Sequence, residues 1–200
     1  MDEMFSYSAR LDTKPGREAD YPESPYVVIY DFFGDDTVLM ARKWFRNILE
    51  AAFTEEVAKE DAIKSLFWLR NCEKLIAAAS EIYHKENLAG LGKKETESSL
   101  VATHIKYFRE KAGKWELCPQ YLHPLEWRKP RLAIKDFIEY QPLRHWKLVL
   151  HCIAQAAICY ESIFTTLPEC ERIFRDCLHL YRLIDAAWVI RVVELPSWKA

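Results

Sequence analysis

The sequence is poor in glycine, which supplies 5 of its 200 residues, and turn signals built on glycine or asparagine are sparse. A β-sandwich or β-barrel needs such a turn about every ten residues, so this scarcity argues against an all-β fold. Half of the residues are apolar and 14% are aromatic, a composition that excludes a disordered chain. The content of alanine, leucine, glutamate, lysine and arginine favours helix instead.

The chain also lacks an apolar run long enough to cross a bilayer, since the longest one, 148–160, is interrupted by His151 and Gln155. Its first four residues include two acidic ones, Asp2 and Glu3, and the start of the chain lacks the basic stretch and apolar region of a secretory signal. We therefore expect a cytoplasmic protein with no membrane contact. The six cysteines are then expected to be reduced thiols.

Familiar catalytic motifs are absent as well. The sequence contains no phosphate-cradling glycine loop, no nucleophile elbow, no zinc-protease motif and no Cys-x-x-Cys pair. We expect no cofactor, and this absence favours a non-enzymatic protein over an enzyme without excluding catalysis.

Apolar residues recur at three- and four-residue spacing, for example at Phe45, Ile48 and Ala52, which indicates amphipathic helices. The pattern predicts an all-α fold, a single antiparallel bundle of about six helices over residues 36–200. The first helix follows Asp36, and the others are predicted near 54–84, 98–112, 131–140, 143–164 and 168–193. A capping box at 166–169 predicts that the last two helices form an antiparallel hairpin.

Residues 1–35 are predicted to form an irregular or extended N-terminal arm, because prolines and polar residues dominate its first 25 positions. Residues 26–33 are rich in β-branched and aromatic side chains, which is typical of a short strand or an extended segment. Such a segment is open to pairing with another chain. Asp35 or Asp36, which cluster with Asp31, is expected to cap the helix that follows.

Four cysteines of the predicted hairpin form a regular pattern. Cys152 and Cys159 are seven residues apart, as are Cys170 and Cys177, so each pair lies on one helix face. If the hairpin folds between 164 and 165, Cys152 faces Cys177 and Cys159 faces Cys170. Core thiols are the favoured interpretation, with a redox pair or metal ligands as alternatives.

An arginine precedes a histidine with six residues between them at two places, Arg144 with His151 and Arg172 with His179. This spacing resembles the Arg-x4–6-His motif of the HEPN family, helical-bundle proteins that include metal-independent ribonucleases. The resemblance implies that the arginine would stabilise the charged phosphorane-like state and that the histidine would move protons. Folding the hairpin also brings His179 near His151, either as ligands or as a hydrogen-bonded core pair.

Charge is unevenly distributed along the chain. Residues 1–36 hold nine acidic and three basic residues, a net charge of −6, whereas residues 104–147 hold ten basic and five acidic residues, a net charge of +5. The two regions either neutralise each other within one molecule or mark a partner surface. The irregular stretch 113–130 combines aromatic and cationic residues, so a nucleic-acid or phosphate surface is an alternative there, with candidate residues Lys106, Arg109, Arg128, Lys129 and Arg131.

Together these features favour a non-enzymatic intracellular interaction module that contacts a protein partner, or a second copy, through the arm and the 113–131 surface. A HEPN-like ribonuclease and a nucleic-acid-binding protein are the alternative interpretations.

Overall fold

The computed structural model describes residues 24–54, 62–90, 117–159, 163 and 170–195. These ranges are helical and contain no strand, which confirms the prediction of an all-α fold. The helices are α1 (Pro25–Phe33), α2 (Val38–Phe53), α3 (Ala62–Lys85), α4 (Pro124–Arg128), α5 (Pro130–Tyr140), α6 (Leu143–Ile158) and α7 (Cys170–Val189). A 3-10 turn, Leu88–Gly90, follows α3, and a π turn, Ile190–Glu194, extends α7. The helix predicted near 98–112 and the capping box at 166–169 lie outside the described residues.

Residues 26–33, predicted as a strand or extended segment, are instead part of helix α1. Pro25 occupies the start of the helix, where its fixed φ angle fits and its missing N–H costs nothing. Ile29 and Phe33 follow at spacings of four and lie in the main hydrophobic core, with α1 packed against α3. Strand propensity was misleading because it is a weak preference that burial of a helical face overrides. The rest of the predicted arm, residues 1–23, is outside the described ranges.

The turn between α1 and α2 differs from the prediction in its cap. The N-cap residue of α2 is Thr37, not Asp35 or Asp36, and no side-chain hydrogen bond closes the cap. Gly34 has a φ of 53°, a backbone conformation that glycine adopts without the steric cost of a Cβ atom. The two aspartates therefore lie in the turn itself, with their side chains exposed.

Helices α2, α3 and α6 share the main core, and α7 packs mainly against α5 and also against α2. Trp146 is fully buried at the start of α6 and stacks on Phe137 of α5 with 4.1 Å between ring centroids. Helix α6 ends at Ile158, six residues earlier than predicted, because Cys159 adopts an extended conformation. The main neighbours of α6 are α2 and α3, and the turn of the predicted hairpin lies outside the described residues. No helix within the described ranges is long and apolar enough to span a membrane.

Candidate functional site: an acidic cleft beside exposed aromatic residues

A cleft of about 490 Å³ opens where the end of α1 and the following turn meet α2 and α3. Its lining combines carboxylates with aromatic rings. The residues that define this acidic cleft are Asp31, Asp35, Asp36, Trp44, Lys64, Phe67 and Trp68. With three aspartates and one lysine, the cleft presents a net negative charge, which favours positively charged ligands.

The three aspartates are exposed. No hydrogen bond or ion pair among the described residues involves their carboxylates. Each carboxylate offers two oxygens that can accept hydrogen bonds from a cation. The cluster is apparent in the sequence, where it was interpreted as a helix cap rather than as part of a binding site.

Aromatic residues also line the cleft. Trp68 is held by stacking on Phe45, 5.4 Å between centroids, and by an edge contact with Phe32, 5.9 Å. Phe67 next to it is 66% exposed, and it continues an apolar strip with Ile63 and Leu66, which are 75% and 47% exposed. The spacing of these three residues places them on one helix face. The core face of α3 passes instead through Ser65, Trp68 and Leu69, which are buried.

Arg191 holds the backbone of the acidic turn, residues 34–36, which lies between α1 and α2. Its guanidinium donates hydrogen bonds to the carbonyl oxygens of Gly34 and, at 3.0 Å, Asp36. The same group packs over the rings of Tyr30 and Trp188, 4.9 and 5.5 Å from their centroids. These contacts hold the backbone of the turn, so a ligand of the carboxylates does not have to order it.

The described part of the 113–130 stretch is held by a buried ion pair. Arg42 of α2 and Asp185 of α7 are 6% and 0% exposed, and Arg42 Nε lies 2.8 Å from Asp185 Oδ1. Asp185 Oδ2 accepts the amides of Gln120 and Tyr121 at 2.7 and 2.9 Å, while Arg42 donates to the carbonyl of Cys118 at 2.8 Å. Burial raises the pKa of Asp185, against the opposing effects of Arg42 and the two amides. This network joins α2, α7 and residues 118–121, and spacing along the sequence does not predict it.

The predicted basic surface is only partly available to a ligand. Arg131 donates hydrogen bonds to Glu86 and, at 2.9 Å, to the hydroxyl of Tyr26. Burial and the hydrogen bond with Glu86 raise the pKa of Tyr26 to about 12. Arg128 is exposed and Lys129 is half-buried, whereas Lys106 and Arg109 lie outside the described residues. The surface therefore stays a prediction, with Arg131 already engaged inside the molecule.

The structure brings Arg172 to a histidine that the sequence analysis did not single out. His145 Nε2 lies 2.8 Å from Oδ2 of Asp176, which is buried, and Arg172 Nη2 lies 3.5 Å from His145 Nδ1. An ionised carboxylate only accepts, so pairing with ionised Asp176 requires the His145 tautomer that carries its proton on Nε2. The predicted partners Arg144 and His151 are both exposed on α6.

His179 has a different environment from His145. Its ring stacks on Tyr140, 3.9 Å between centroids, and its Nδ1 atom is buried with no hydrogen-bond partner in the described structure. Burial, with help from Arg182, lowers the pKa of His179. These contacts are those of a packed, neutral imidazole.

The hairpin cysteines that the structure describes are free thiols. Cys177 is buried, which raises its pKa to about 12, and burial also raises the pKa of the half-buried Cys152. Cys159 is exposed, and the side chain of Cys170 lies outside the described residues. No group of three or more histidine, cysteine or acidic residues with metal-binding geometry occurs in the described part of the chain.

Comparison with known proteins adds no relative: no family model, no curated protein and no solved structure matches this chain.

Proposed function

We propose that the protein is a non-enzymatic interaction module that binds a partner protein through the acidic cleft and the apolar strip of Ile63, Leu66 and Phe67. The observation that carries the proposal is the combination of three exposed carboxylates with an exposed phenylalanine around one cleft. Exposed apolar patches beside polar groups are common features of protein interfaces.

The surface proposed here differs from the one expected from sequence. The arm contributes only its final part, the end of α1 and the acidic turn. In the described part of 113–131, by contrast, several polar groups already have partners, including the amides of Gln120 and Tyr121 and the side chain of Arg131. Groups that are already satisfied contribute less to a new interface.

Quantitative affinity purification from expressing cells tests the proposal. In the cleft variant, Phe67→Ser with Ile63→Ser removes two exposed apolar side chains. Leu148→Ser with Leu178→Ser is the matched control, since those residues are 56% and 52% exposed elsewhere. We expect the cleft variant to recover its bound proteins at least about tenfold less than the wild-type protein does, and the control variant to recover them to the wild-type level. An identical set of bound proteins for both variants would contradict the proposal.

A metal-independent ribonuclease is the second candidate function, favoured by one observation. A histidine oriented by a buried carboxylate and placed beside an arginine is a combination that general acid–base catalysis uses. The test is incubation with labelled single-stranded RNA in EDTA. This candidate requires cleavage that is lost in both His145→Ala and Arg172→Ala but kept in His151→Ala, and it fails if the wild-type protein leaves the RNA intact.

A further inference from the structure

We infer that the partner presents an arginine side chain to the acidic cleft. This inference rests on the proposed function and names the chemistry that the cleft recognises. Three carboxylates against one lysine select a cation. A nucleic acid or a phosphorylated peptide would instead place its phosphates against Asp31, Asp35 and Asp36, where like charges repel.

The aromatic residues that line the cleft favour an arginine over a lysine side chain. A guanidinium is planar, stacks on aromatic faces and is weakly hydrated, whereas an ammonium is a compact and strongly hydrated charge. Phe67, which is exposed, and Trp44, which is half-buried, both line the cleft together with the three aspartates. A guanidinium can therefore contact a ring and donate paired hydrogen bonds to a carboxylate at the same time.

The same molecule already accommodates two arginines in this way. Arg191 packs over Tyr30 and Trp188 while donating hydrogen bonds to the backbone of the acidic turn. Arg42 lies 6.0 Å from the ring centroid of Tyr121 while pairing with Asp185. The acidic cleft offers the same two kinds of contact, an aromatic ring and an acceptor oxygen, and none of the described residues that line it is an arginine.

Titration of the isotope-labelled full-length protein with millimolar N-acetylarginine amide, followed by NMR, tests the inference. We expect saturable shifts of the Trp44 indole signal and of the Asp35 and Asp36 amide signals. N-acetyllysine amide (its side-chain amine free) should produce weaker binding, and N-acetylcitrulline amide, which has the same shape without the charge, should produce none. Absent shifts, or equal shifts from the lysine or citrulline compound, would overturn the inference.

Variants connect the signal to the cleft. Asp35→Asn with Asp36→Asn is expected to weaken binding about tenfold, and Phe67→Ala by roughly two- to fivefold. Glu73→Gln with Glu81→Gln removes the same charge from α3 outside the cleft lining and should leave binding unchanged. If the arginine compound does not bind while Phe67→Ser with Ile63→Ser still loses its bound proteins, the arginine inference fails and the proposed function stands.

Discussion

Arg42 and Asp185 are two residues, 143 positions apart, that organise three segments of the chain. The buried polar atoms of the pair have hydrogen-bond partners, because the amides of Gln120 and Tyr121 and the carbonyl of Cys118 complete the network. Removing one member of such a pair leaves a buried charge without compensation. The cost of that loss exceeds what the pair itself contributes to stability.

Arg42→Met is therefore expected to lower the free energy of unfolding by about 3–5 kcal/mol. Arg46→Met, one turn further along α2, is the control, since Arg46 is exposed and its 3.8 Å pair with Glu50 is worth at most about 1 kcal/mol. Urea denaturation compares the two variants. An equal midpoint for Arg42→Met and Arg46→Met would show that the buried network does not stabilise the fold as described.

His179 makes stability dependent on pH. Its pKa is lowered in the folded state by burial, and then by Arg182, so the unfolded chain binds a proton at a higher pH than the folded chain does. The contribution of His179 to the free energy of unfolding is therefore fully present above about pH 6.5, the pKa of histidine in the unfolded chain. It declines as the pH falls from that value towards the lower pKa of the folded state. His179→Gln should lose less stability than wild type between pH 7.5 and pH 5.5, as measured by urea denaturation. Parallel losses in both proteins would contradict this role.

Helix α1 depends on the burial of its apolar face for its helical conformation. Ile29 is almost fully buried in the main core, whereas Val27 on the same helix is only half-buried. Ile29→Ala is expected to cost roughly 2–4 kcal/mol, and Val27→Ala clearly less. Thermal unfolding followed by circular dichroism measures both changes. Equal effects would mean that α1 does not dock through the face described here.

Helices that have a regular apolar pattern and proline boundaries were predictable from sequence. Pro130 and Pro142 frame α5, and its predicted span, 131–140, differs from the observed one by a single residue. Helix α1 was not predictable in this way, since its β-branched residues favour a strand locally and only packing against α3 reverses that preference. Local sequence patterns carry no information about which distant element will bury a given face.

The candidate site was visible in part. The cluster of Asp31, Asp35 and Asp36 is apparent in the sequence, and so is the pair of consecutive aromatic residues Phe67 and Trp68. Their meeting in one cleft depends on how the end of α1 approaches α3, and His145 meets Asp176 through the crossing of α6 and α7. Such encounters between elements are set by tertiary packing, so spacing rules could not find them.

At the scale of the whole molecule, the cleft concentrates negative charge that the overall net charge of −2 conceals. Attraction to a basic segment would act between exposed charges, which salt screens over about 8–10 Å. Binding of an arginine-containing partner should therefore weaken as salt rises, and the weakening should be smaller for Asp35→Asn with Asp36→Asn. A salt dependence that is the same in the variant would place the charged contact elsewhere.

The most direct test of the proposed interaction is photo-cross-linking in living cells. A photoreactive phenylalanine analogue replaces Phe67 at the cleft, which is 66% exposed, or, as the control, Leu178, which is 52% exposed outside the cleft lining. We expect a discrete cross-linked complex with a partner protein from position 67 and none from position 178. That complex should decline when Asp35 and Asp36 are changed to asparagine. Cross-linking from position 178 alone, or a yield from position 67 that is unaffected by those two substitutions, would contradict the proposed interaction.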